Sequence, residues 1–393
     1  MGAMAVIEDI FNIEDEDDFS SSISDYRDLS LSSSDWTVET LFGQMKKGNI
    51  DVSPEFQRRQ VWDAKKQTAF IESLILGIPV PQIVIAQNKQ ERGKYIVLDG
   101  KQRLLSIMRF YDGDLRLGKP ELLEELKGLT YGEMDDVYRD AIDNATIRAV
   151  RISGWNNESV LYTIFHRLNS GSVSLNTQEL RFALMPGPFT RFASSFTDHD
   201  FEFALLFSES ADGPDFRMRD IELLTRYCGI VHRPALYTGN LKEFLDQTTA
   251  WLNDLDSELT YQSYACDAVR AISLYRDVYG LIEANHGEKM APFTLLQDGK
   301  KPRFNRAVFD ALCFAAQDVN IREAIASNKK EVATELERVL SSPRFIDACS
   351  VSTKTKKSLV ARIATWSDAL SEILGIPVKK LVLDKDGKVI VDR

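Results

Sequence analysis

The sequence is poor in the residues that build metal centres and disulfide frames, with four cysteines and four histidines in 393 residues. Cys228, Cys266, Cys313 and Cys349 lie far apart and form no Cys-x-x-Cys pair. That spacing excludes a zinc ribbon or a disulfide scaffold and is expected of reduced thiols in a cytoplasmic protein. His166, His199, His232 and His286 are equally scattered, with no paired His/Asn pattern. No apolar run reaches about 18 residues, so no membrane-spanning helix is expected. The N-terminus is acidic instead of basic-then-apolar, so no secretory leader is expected either. Positive charge is not in excess. The net charge is −11, yet residues 1–35 hold ten acids against Arg27 alone, so −9 of that total falls there and −2 on the rest. The body of the chain is nearly neutral, which neither excludes nucleic-acid binding nor argues for it.

What is present is an ordinary apolar fraction of 44%, distributed in patterns that point to an α+β fold followed by a mainly helical region. Residues 1–34 combine Glu14-Asp15-Glu16-Asp17-Asp18 with a serine-rich stretch, a composition expected to stay disordered because it buries too little apolar area to offset chain entropy. Order is expected from Asp35, read as the cap of a helix through Val38, Leu41, Phe42 and Met45. A second helix follows Asp63 and stops at Gly77, with Pro79 and Pro81 beyond it. Gln82–Ala86 and Lys94–Leu98 read as a β-hairpin, and Thr146–Ile152 as a further strand. From about residue 156 the periodicity is helical, for example over Val160–Leu168, Thr177–Leu184 and Lys356–Leu374. The expected organisation is a tail over 1–34, a mixed domain over 35–185, a helical domain over 186–380, and a hairpin over 381–393 with Asp386-Gly387 in its turn.

Three clusters carry chemistry. In the first, the strand Tyr95–Leu98 delivers the chain to Asp99-Gly100-Lys101-Gln102-Arg103, where a helix begins. The first turn of a helix leaves backbone N–H groups unpaired and its dipole favours an anion. Lys101 adds charge, and Arg103 a planar fork suited to phosphate oxygens. Asp99 suits a divalent metal or an attacking water. The plainer alternative is that Asp99 caps the helix and the basic side chains are solvated. The second cluster, Pro54–Trp62, puts Gln57, Arg58 and Arg59 between the apolar anchors Phe56 and Trp62. The third runs from His166 through Asn169-Ser170-Gly171 to Asn176 and Glu179. It reads either as a ligand-lining loop, with Glu179 assisting metal or proton transfer, or as ordinary turn and capping chemistry.

In this order the clusters resemble the N-terminal domain of GmrSD-type modification-dependent restriction systems, a branch of the ParB/sulfiredoxin-like superfamily. The family pattern is Gln-Arg then Trp, a strand ending in Asp-Gly-Gln-Gln-Arg, and Leu-Asn-x-Gly with a later Glu. The counterparts are Gln57-Arg58 with Trp62, Asp99–Arg103, and Leu168–Gly171 with Glu179. Lys101 departs from the pattern, replacing a neutral amide by a charged donor. The resemblance implies a nucleoside-triphosphate-binding and hydrolysing (NTPase) protein of anti-phage defence, coupled to DNA. The implied catalytic set is Asp99, Arg103 and Glu179, with Mg²⁺ on Asp99. The implied nucleotide contacts are Gln57, Arg58, Gly100, Lys101, Gln102, Asn169, Ser170 and Gly171. Residues 186–393 show no His-Asn-His nuclease pattern, so under the resemblance either cutting falls to a separate nuclease or effector subunit or it does not occur. Two other readings stay open: a ParB-like nuclease cutting DNA directly, and a non-catalytic interaction module switched by nucleotide.

Overall fold

The structure is a computed structural model that describes residues 26–52, 62–89, 91–156, 160–161, 163–164, 177–207, 218–255, 257–286, 290–297 and 304–392. The chain forms two compact units, one ending at Leu184 and the other beginning at Met185.

The first unit is built on a five-stranded mixed sheet. Its strands are β1 (Ser30–Thr37), β2 (Ile50–Asp51), β3 (Ile83–Gln87), β4 (Tyr95–Asp99) and β5 (Thr146–Ser153), in the spatial order β1-β5-β3-β4-β2. β3 and β4 form the expected antiparallel hairpin, with a bulge between Val84 and Ile85. β5 runs parallel to β3 and antiparallel to β1. The helices are α1 (Val38–Lys46), α2 (Ala64–Ile75), α3 (Lys101–Tyr111), α4 (Asp136–Asn144) and α5 (Thr177–Leu184). Leu41, Ile71, Leu104, Ile107 and Ile142 from the first four pack with Ile83, Ile85, Val97 and Ala149 of the sheet in one apolar cluster. The alternate strand residues Val84, Ala86, Ile96, Leu98 and Ile152 are buried as well, and α5 lies against β4. A sheet buried on both faces reads in sequence as continuous apolar runs, which is the pattern of Ile83–Ala86 and Ile96–Leu98.

One expectation fails at the N-terminal edge. Ser30–Ser34, read as part of the tail, are strand, paired residue for residue from Ser30↔Ser153 to Thr37↔Thr146. Asp35 does not cap a helix. It lies in that strand and takes Arg148 Nε at 3.0 Å. The cap of α1 is Thr37, whose hydroxyl accepts from Thr40 N. A serine run has little strand propensity of its own, but an eight-residue ladder against β5 satisfies its backbone regardless.

The second unit is helical: α6 (Pro188–Thr197), α7 (Phe201–Phe207), α8 (Arg219–His232), α9 (Leu241–Leu255), α10 (Glu258–His286), α11 (Arg306–Ala315), α12 (Val319–Ser327), α13 (Lys329–Leu340), α14 (Pro343–Ser350) and α15 (Lys356–Leu374). It ends in the antiparallel hairpin β6 (Lys380–Leu383) and β7 (Val389–Asp392). Its centre is aromatic, with Trp366 Nε1 donating to Tyr275 Oη at 2.8 Å. It also holds a buried ionic knot in which Asp310 of α11 receives Arg226 of α8 and Arg362 of α15. Among the described residues no helix is long and apolar enough to cross a membrane.

Candidate functional site

The Asp-Gly turn is a packed joint between β4 and α3. Gly100 is the N-cap of α3 and has φ +94°, a left-handed conformation that favours glycine. A Cβ built there would stand 2.5 Å from Ile83 Cγ2 and 3.2 Å from Arg103 Nη2. Packing and backbone angle therefore account for the glycine. Because glycine offers no side chain, no side-chain hydrogen bond caps α3, and its first turn keeps the partial positive charge that suits an anion.

Asp99 closes back on this turn. Its Oδ1 accepts from Gly100 N at 2.7 Å and its Oδ2 from Arg103 Nη2 at 2.9 Å. The same Nη2 donates to the Gln82 carbonyl, also at 2.9 Å, tying α3 to the start of β3. The two side chains are 31% and 11% exposed, so the pair is half-sheltered from water. Arg103 Nε is buried with no hydrogen-bond partner. Asp99 thus neither caps α3 in the ordinary way nor stands open. It neutralises Arg103, the arginine of this turn that the sequence assigns to phosphate.

Gln102 is held from another direction. Its Oε1 accepts from Trp62 N at 3.2 Å, while Gln67 of α2, 2% exposed, donates Nε2 to the Trp62 carbonyl at 2.8 Å. Arg109, two turns along α3, donates Nη1 to Gln67 Oε1 at 3.2 Å. Sequence reasoning missed Gln67 and Arg109. The available signal was a glutamine three residues before Phe70, on the apolar stripe of α2, since a polar residue there must be satisfied internally.

Of the other expected site residues, Glu179 is 5% exposed on α5, and α5 packs against the strand that ends in Asp99. Lys101 opens α3. Gln57, Arg58, Asn169, Ser170 and Gly171 lie outside the described residues. Among the described residues no group of three or more His, Cys, Asp or Glu side chains is gathered as a metal site. Asp99 fits a metal only as a single carboxylate, which suffices for Mg²⁺ when phosphate oxygens and water supply the remaining ligands.

Residues 38–186 match the family model of the GmrSD restriction endonuclease, N-terminal domain. The match spans α1 through α5, and so takes in the turn, the hairpin beneath it and the helix of Glu179. It identifies this GmrSD N-terminal segment with the family suggested by the three clusters, and points to a restriction or defence role. No curated protein and no solved structure matches the chain. The helical second unit has no counterpart beyond its first residues in the family match.

Proposed function

We propose that this chain is a component of a prokaryotic restriction-type defence system. In this reading its GmrSD N-terminal segment binds a nucleoside triphosphate at the Asp99–Arg103 turn and hydrolyses it in response to DNA. The observation that carries this reading is the uncapped first turn of α3 standing beside an arginine that is half-sheltered and rigidly placed. Phosphoryl transfer asks for positioning and charge neutralisation more than for covalent chemistry. The turn offers backbone N–H groups at a positive helix end, the Arg103 fork and, through Gln102, an amide. When bound, Mg²⁺ would supply further charge neutralisation from Asp99. Cleavage of DNA, where it occurs, would fall to a separate nuclease or effector subunit.

A second reading is a nucleotide switch without turnover. It is favoured by the fact that both Asp99 oxygens already accept hydrogen bonds, one from Gly100 N and one from Arg103. Phosphate release from ATP, GTP, CTP and UTP with Mg²⁺, with and without DNA, separates the two. Hydrolysis predicts turnover that Asp99→Ala and Arg103→Ala both abolish. A switch predicts no turnover but a raised melting temperature with one of the four nucleotides. Neither effect with any of them would reject nucleotide binding altogether.

A further inference from the structure

We propose that Gln67 and Arg109 are positioning residues, which act through the Trp62 backbone to present the Gln102 amide as a hydrogen-bond donor to the ligand's oxyanion. The polarity of the chain of hydrogen bonds leaves one arrangement. Arg109 can only donate, so the oxygen of the Gln67 amide faces it and the Gln67 NH₂ faces Trp62. The Trp62 carbonyl can only accept, and it receives that NH₂ at 2.8 Å. On the other side of the same residue the Trp62 N–H can only donate, so Gln102 must turn its oxygen toward it.

What Gln102 has left is its NH₂. Among the described residues that group donates to none, and it is not among the buried unsatisfied atoms. An amide locked in this sense turns its oxygen to Trp62 and leaves its two N–H donors for a ligand, which matches phosphate oxygens. The lock is stiff because Gln67 is 2% exposed with both ends of its amide engaged. The Trp62 ring is further held edge-on against Phe70 at 5.7 Å. Arg109 is itself braced by the Asp114 carbonyl, at 3.3 Å from Nη2.

The oxyanion in this proposal rests on the nucleotide reading, so the test uses one readout that needs no nucleotide. The chain has five tryptophans, so protein labelled with ¹⁵N-tryptophan gives few backbone amide signals, and Trp62→Phe assigns the one of interest. In Gln67→Leu, and independently in Arg109→Met, Trp62 amide exchange should rise about tenfold, the equivalent of one lost hydrogen bond. Binding of the preferred triphosphate, taken from ATP, GTP, CTP and UTP with Mg²⁺, should weaken by about the same factor. Gln102→Glu keeps the acceptor for Trp62 but replaces the NH₂ by oxygen. It should leave Trp62 exchange at the wild-type value and still weaken triphosphate binding. Unchanged Trp62 exchange in both Gln67→Leu and Arg109→Met overturns the proposal, as does raised exchange with unaltered triphosphate affinity. If the unmodified protein binds none of the four nucleotides, the nucleotide reading falls, and the exchange rates alone decide whether Gln67 and Arg109 hold Trp62.

Discussion

The methyl group Cγ2 of Ile83 stands 2.5 Å from where a Cβ on Gly100 would lie. The bulged hairpin strand and the Asp-Gly turn are therefore fitted to one another. Gly100→Ala meets two obstacles at once, a left-handed backbone and a filled space. The backbone cost is about 1–3 kcal/mol, and overpacking adds about 1–3 kcal/mol. Equilibrium urea denaturation should show a loss of at least about 2 kcal/mol in the unit that carries the sheet. A loss below about 0.5 kcal/mol would mean that Ile83 moves aside freely and that the joint is not rigid.

The Asp99–Arg103 pair is expected to carry a measurable coupling energy, unlike an exposed surface pair. With Arg103 11% exposed and its Nη2 shared between Asp99 and the Gln82 carbonyl, Arg103→Lys cannot reproduce the contact. A double-mutant cycle over Asp99→Asn and Arg103→Lys should give about 1–2 kcal/mol of coupling. Because Asp99 remains 31% exposed, salt should reduce that figure. Coupling near zero in urea denaturation would place the pair among ordinary surface contacts and would remove the rigidity on which the phosphate reading depends.

How far these features were legible in the sequence differs by residue. The helix faces of α1 to α3 and the β3–β4 hairpin were readable, because apolar period and turn chemistry are local signals. Asp99-Gly100 was readable as a strand-to-helix turn, but not as a closed pair with Arg103, since that depends on Gln82 seventeen residues upstream of Asp99. β1 was not readable. Ser30–Ser34 gain their order from β5, more than a hundred residues away, and no local preference announces it. Gln67 and Arg109 were hidden for the same reason, because a glutamine in a helix takes its meaning from what it touches. The clusters around Arg58 and Asn169 remain sequence readings alone.

In the second unit Asp310 is the only carboxylate bonded to both Arg226 and Arg362 among the described residues. Arg226 Nε reaches its Oδ1 at 3.0 Å, and Arg362 Nη2 its Oδ2 at 2.8 Å. All three side chains are essentially buried. Removing the acid takes from two buried guanidinium groups the carboxylate they share, whereas the intact knot is worth little net against an apolar packing of the same shape. Asp310→Ala should therefore cost about 3–5 kcal/mol by denaturant titration, or leave the unit unfolded. Asp310→Asn keeps the shape and tests the charge alone. If Asp310→Asn were neutral, the arginines would have to be neutralised by other groups, such as Glu222, whose Oε1 lies 3.7 Å from Arg226 Nη1.

His232, at the end of α8, gives the second unit a pH dependence of defined sign. Its ring is stacked on Tyr264 with centroids 3.7 Å apart. Burial pulls its pKa down from the usual 6.5 to about 4, against a weaker opposing pull from Asp267. The folded protein therefore keeps His232 neutral where the unfolded chain protonates it. Above about pH 6.5 the residue adds no pH dependence. As pH falls from 6.5 toward 4 the unfolded state binds a proton that the folded state refuses, so stability declines through that window. The loss is only a fraction of what the full shift would give, because His232 keeps contact with solvent, and it levels off below about pH 4. Denaturant titrations at pH 7.5, 6, 5 and 4 on the wild type and on His232→Gln measure it directly. The variant should be less stable at pH 7.5, having lost the stack, yet show a shallower decline toward pH 4. Parallel curves for the two proteins would mean that His232 protonates in the folded state as readily as in the unfolded chain, with the imidazolium accommodated between Tyr264 and Asp267.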